Sequence, residues 1–164
     1  MKKNFAIFTL LICLAFPAIL QAQHAEMADN SSTEGHKMLN ENNLIWKAGP
    51  PSLPPGAQMA LLEGDPAKAG PFTMRLILPS NYRVGPHFHP AIEHVSVLKG
   101  NFYMGTGKVF NADAATRIKE NGFALMPVGY AHYAFTRGKT IIQLHGVGPW
   151  GITYINDADD PRKK

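Results

Sequence analysis

Apolar residues are laid out along this chain in two ways. One long run, interrupted by Thr9 alone, covers residues 5 to 16 behind Lys2 and Lys3, whereas past Leu44 the apolar residues fall in short runs cut by turn formers. The first pattern, closed by the small residue Ala22, has the charged, apolar and small-residue parts of a secretory signal, with cleavage expected after Ala22. Its apolar stretch is shorter than the ~20 residues a membrane span needs, and Pro17 follows it directly. From Gln23 to Asn43 the chain is polar, rich in Asn and Ser and without apolar periodicity, as expected of a flexible leader.

The second pattern is the rhythm of an all-β domain. Strands are expected over 45–46, 58–63, 72–78, 93–98, 101–105, 124–126, 131–136, 141–145 and 152–155. Pro50-Pro51, Pro54-Pro55-Gly56, Arg137-Gly138-Lys139 and the run from Gly146 to Gly151 separate them with residues that fix φ or tolerate positive φ. Lys99-Gly100 joins two apolar runs over two residues, which predicts a hairpin over 93–105. The expected organisation is a signal over 1–22, a leader over 23–43, one β domain over 44–156 and a solvated tail over 157–164.

Composition narrows the function classes. The only cysteine, Cys13, lies in the signal, so the mature chain has neither an internal disulfide nor a thiol ligand. Losing Lys2 and Lys3 with the signal lowers the formal charge from +4 to +2, and Arg162, Lys163 and Lys164 supply three of the remaining cations, so the basic balance does not indicate nucleic acid. The expected destination is periplasmic or secreted, with no membrane partner after cleavage. About 140 residues then remain, enough for one domain with a core and too few for two.

The chemistry is concentrated in Gly85-Pro86-His87-Phe88-His89-Pro90-Ala91-Ile92-Glu93-His94. In an extended chain His87 and His89 share a face, and Glu93 joins them if the strand resumes after Pro90. Two imidazoles and a carboxylate on one side of a sheet are donors suited to a divalent transition metal. A fourth donor is available in Pro127-Val128-Gly129-Tyr130-Ala131-His132, where a turn would lead His132 into a strand. Taken alone, an H-x-H is as readily a pair of surface loop histidines, and Glu93 a solvated charge.

Together these segments resemble the two motifs of the cupin superfamily. His87, His89, Glu93 and Gly100 stand at the spacing of the first motif, with Asn81 in place of its leading Gly; Pro127, Gly129 and His132 match the second, with Gly122 one residue too close and Thr136 in place of its closing Asn. The resemblance implies a cupin-type antiparallel β-barrel, or jelly roll, and one divalent ion (Fe, Mn, Ni or Zn) on His87, His89, Glu93 and His132. It also implies pairing of two copies into a homodimer. It does not choose a reaction, since such proteins include dioxygenases, isomerases, decarboxylases and sensor domains. Two functions stay open: an oxygenase- or isomerase-type enzyme acting on a small polar organic substrate, or a metal-dependent domain that binds or senses a small ligand without turnover. A purely structural protein is the third reading.

Other residues carry weaker signals. His94 has the opposite parity to Glu93 and should face away from the donors. His145 shares parity with Ile141 and Gln143 and either reaches the pocket or packs as a rim histidine. Arg75, between Met74 and Leu76, points either inward toward an anionic substrate or outward to water. Tyr103, Tyr133 and Tyr154 either line a cavity or pack, and Trp46 and Trp150 read as core or interface anchors.

Overall fold

The computed structural model describes residues 36–164. The expected signal and most of the expected leader lie outside the described residues, and the compact unit that carries the site runs from Met38 to Lys164.

Among the described residues the chain forms eleven strands, a few single turns of 3-10 helix and no α-helix. One sheet contains β1 (Lys47–Ala48), β2 (Gln58–Glu63), β3 (Gly70–Leu78), β10 (Thr140–Gly148), β5 (Glu93–Lys99) and β8 (Phe123–Met126), in that spatial order. The other contains β11 (Thr153–Tyr154), β4 (Arg83–Phe88), β9 (His132–Thr136), β6 (Asn101–Thr106) and β7 (Thr116–Lys119). Every pairing is antiparallel. The expected jelly roll is therefore present as two sheets, not as a single closed ring of paired strands.

The core follows from period-two alternation. On β3, Phe72, Met74, Leu76 and Leu78 are buried while Thr73, Arg75 and Ile77 are only partly so, and Val95 and Val97 of β5 with Ile142 and Leu144 of β10 continue that inner face. Val84, Phe102, Met104 and Ala134 of the second sheet join the same cluster. Each large side chain buried here contributes about 1.5–3 kcal/mol relative to exposure.

The hairpin expected over 93–105 does not form. β5 and β6 belong to different sheets, and Gly100, at φ 84°, carries the chain around the corner between them. A Cβ on Gly100 would lie 2.6 Å from the Lys139 carbonyl oxygen, so the turn is pressed against the start of β10. The physical reason is that Val95 and Val97 face the core from one layer and Phe102 and Met104 from the other, which a flat hairpin could not arrange. Two strands escaped the sequence reading: β4, whose Gly-Pro-His content masks it, and the polar edge strand β7. The strand expected over 45–46 lies two residues later, as β1.

The end of the chain is not simply a solvated tail. Asp160 is buried; Arg162 donates to it from Nε at 2.8 Å and Nη2 at 2.8 Å, and to the Ile152 carbonyl at 3.1 Å. Hydrogen bonding from Arg162 holds the Asp160 carboxyl below its ordinary range. Asp159 packs on Gly85, where a Cβ would come within 2.6 Å of its Cγ. The polar composition of 157–164 hid this docking, because its contacts are made by hydrogen bonds rather than by an apolar stripe.

Thr136 closes β9 with two bonds: its hydroxyl accepts from the Tyr82 N–H at 3.0 Å and donates to the Pro79 carbonyl at 2.6 Å. Thr136→Val keeps the shape and strands both backbone groups, so it should destabilise the fold by about 1–3 kcal/mol. Urea unfolding checks this; an unchanged midpoint would show that water or a local shift takes over both bonds.

Candidate metal centre

The end of the sandwich where β4 stops and β5 and β9 begin brings four ionisable side chains together. His87 lies near the end of β4 and pairs across the sheet with His132, the first residue of β9. Glu93 opens β5 in the other sheet, and His89 sits between, just beyond β4. A register shift in β4 between Val84 and His87 precedes the site. The turn after Pro127 has Gly129 at φ 70°, and the Gly129 N–H donates to the His89 carbonyl at 2.9 Å, so the two motif segments are tied directly.

All four side chains are buried: His87 is 4%, His89 2%, Glu93 7% and His132 1% exposed. One ring nitrogen of each histidine lies within 4.8 Å of the others. The Nδ1 atoms of His87, His89 and His132 face backbone carbonyls of Gly85 at 2.7 Å, Gly151 at 2.6 Å and Tyr130 at 2.9 Å. A carbonyl can only accept, so Nδ1 carries the proton in each ring and Nε2 is left with its lone pair.

Glu93 stands beside this triad, its carboxylate oxygens 3.6 Å from His89 Nε2 and 3.2 Å from His132 Nε2. Neither His89 Nε2 nor Glu93 Oε2 has a hydrogen-bond partner among the described residues, so the 3.2 Å approach is a close contact without a hydrogen bond. Lone pairs and carboxylate oxygens crowded into a buried cluster repel one another unless a cation lies between them, and a single proton can bridge only one pair. The three histidines can hold a metal ion, and their neutral nitrogens fit a divalent transition metal.

Comparison with solved structures then bears on the fold. The chain resembles a proposed acetylacetone dioxygenase from Methylibium petroleiphilum PM1 (TM-score 0.60, 17% identity, 79% of this chain and 88% of that one). It resembles the polyketide cyclase RemF from Streptomyces resistomycificus at TM-score 0.60 and 14% identity, over 79% of this chain and 92% of that one. An RmlC-like cupin from Shewanella frigidimarina NCIMB 400 matches at TM-score 0.54 and 10% identity, over 69% and 91%. The chain has the cupin fold. At these identities the likeness is one of architecture. No protein-family model matches the sequence, and no curated protein matches it either.

In this cupin fold the donors border a cavity between the sheets with about 550 Å³ of empty space, its open mouth included. Met74, Leu76, Ile142 and Leu144 line it from one sheet and Val84, Phe102 and Met104 from the other. This part of the lining is apolar.

The remaining candidates separate cleanly. His145 does not reach the cavity: it pairs with His94 across β10 and β5, and their rings stack 4.6 Å apart. Arg75 faces outward, its Nε donating to Gln143 Oε1 at 3.1 Å. Tyr103 stacks on Phe135, Tyr133 donates to the Asn111 carbonyl and Tyr154 to the Ser52 carbonyl, and none of the three lines the cavity. Trp150 packs against the core, as expected of an anchor, and also reaches the site. Its ring stacks on His89 at 4.3 Å and 17° and lines the cavity.

Burial holds the His87 ring well below its ordinary pKa, aided by His132 and His89 and opposed by the bond to Gly85. Burial also lowers His89, against the opposing pull of Glu93. The unfolded chain takes up these protons below about pH 6.5 more readily than the fold does. Stability of the metal-free protein should therefore fall as pH drops through 6.5, by up to about 1.4 kcal/mol per pH unit from His87 with a contribution of the same sign from His89, and gain nothing further above pH 7. Urea midpoints of chelator-treated protein at pH 7.5 and 5.5 check this, with His87→Gln expected to flatten the slope. A midpoint that holds or rises at pH 5.5 contradicts it.

Proposed function

We propose that this chain is an exported cupin that binds one divalent transition ion through His87, His89 and His132, with Glu93 as the oxygen donor, and acts on a small organic molecule in the adjoining cavity. The observation that carries this reading is the tautomer arrangement: three buried imidazoles with Nδ1 committed to carbonyls and Nε2 turned toward one another and toward Glu93. Fe, Mn, Ni and Zn all suit such nitrogen and oxygen donors. A bound ion of this kind polarises a substrate oxygen or, if redox-active, exchanges electrons. The chain's own contribution is to hold the donors rigidly and to keep bulk water off them. Export rests on the signal-like first 22 residues.

Two of the fold neighbours, a proposed dioxygenase and a cyclase, support an enzymatic reading. One observation favours binding without turnover instead. Among the described residues that line the cavity the only ionisable side chains are the three histidines and Glu93, so no separate acid or base is at hand once those four hold an ion.

Elemental analysis of protein isolated from its exported fraction should find about one equivalent of metal, and the His89→Ala, His132→Ala double variant less than about a tenth of that. Stoichiometric metal in the double variant would defeat the ligand assignment. Mass spectrometry of the same protein should give an N-terminus at Gln23; an intact Met1 would remove the export reading.

A further inference from the structure

Resting on the metal site proposed above, we infer that the cavity takes a small uncharged molecule, apolar over most of its surface and bearing a carbonyl-type oxygen, and that Trp150 donates a hydrogen bond to it. The expectation from sequence was a small polar substrate; the lining argues otherwise.

Beyond the four donors, the cavity wall is built of aliphatic, Met, Phe and Trp side chains with two exceptions in character, Pro50 and Ser52. Ser52 is the only hydroxyl-bearing residue on it, and no Lys or Arg lines it among the described residues. A molecule with several hydroxyls would bury them unpaired, at about 1–3 kcal/mol for each. An organic anion would find no guanidinium or ammonium on the wall, and its only cationic partner would be the ion itself, whose charge Glu93 already offsets in part. An apolar body loses nothing there and gains from every ångström of surface removed from water.

The polar contribution comes from one group. Trp150 Nε1 is buried and has no hydrogen-bond partner among the described residues, although the indole borders the cavity and stacks on His89. Buried indole N–H groups ordinarily find an acceptor, so an unpartnered one at the wall of a ligand cavity and against a donor ring points to an acceptor on the ligand. Phe72, tilted against the same indole at 5.7 Å, braces the ring from the core side.

The test titrates metal-loaded, full-length mature protein with butanone, cyclohexanone and acetophenone. Ethylbenzene serves as the acetophenone shape without an acceptor, benzoate as the anion and methyl glucoside as the polyol. Binding is read by calorimetry and ligand-observed NMR, and metal content is measured on the same samples. At least one ketone should bind, with benzoate and methyl glucoside at least about tenfold weaker. Trp150→Phe should weaken the ketone roughly three- to tenfold, leave ethylbenzene within about twofold and leave metal content unchanged. Tightest binding by benzoate or methyl glucoside, or no ketone binding at millimolar concentration, overturns the inference. Equal losses for ketone and ethylbenzene in Trp150→Phe overturn the donor role of the indole. The wild-type panel decides the ligand class without any variant. Absence of metal from the wild-type protein sinks the metal reading, and ketone binding by that same metal-free protein still supports the apolar ligand class, so the two fail separately.

Discussion

The structure turns on a conflict between acceptors. Burying three imidazoles is tolerable because each satisfies its Nδ1–H on a backbone carbonyl, but that same choice leaves three lone pairs and a carboxylate facing inward in an apolar space. Such an arrangement is costly by itself and well suited to a cation, which the three histidines can hold. The carbonyls of Gly85, Tyr130 and Gly151 thus do as much to define the centre as the imidazoles do, and they come from three separate stretches of chain.

Delivering those groups is the work of the two-sheet architecture. His87 and His132 arrive on neighbouring strands of one sheet, Glu93 opens a strand of the other, and His89 lies just past the end of β4. The link from the Gly129 N–H to the His89 carbonyl joins the two donor segments before any ion is considered. Trp150 then closes one side of His89 by stacking, so the histidine that lies outside a strand is packed between a ring and a hydrogen-bonded backbone.

Much of this was legible from local rules. Alternation put His87 and His89 on one face, the Pro127 to Gly129 turn announced His132, and Asn81 does adopt the left-handed conformation, at φ 59°, that its position calls for. What local rules could not supply was the partner of each strand. The residues around Lys99-Gly100 read as a hairpin because a two-residue link between apolar runs usually is one; here the same glycine turns a corner between layers, a choice made by the tertiary core. β4 was hidden because its proline and glycine are normally breakers of strands. Trp150 was read as an anchor since nothing in sequence distinguishes an indole packed on a core from one packed on a donor ring. The outward fate of Arg75 and His145 was open in sequence and is settled by their cross-strand neighbours Gln143 and His94.

Placing donors on both layers has a mechanical side. Any ion gripped jointly by His87 and His132 on one sheet and Glu93 on the other acts as a rivet through the open end of the sandwich, where the hydrogen-bonded ladders themselves do not cross. Occupancy would then be felt as stiffness of the whole end of the molecule, including the strand on which the C-terminal Asp159 rests.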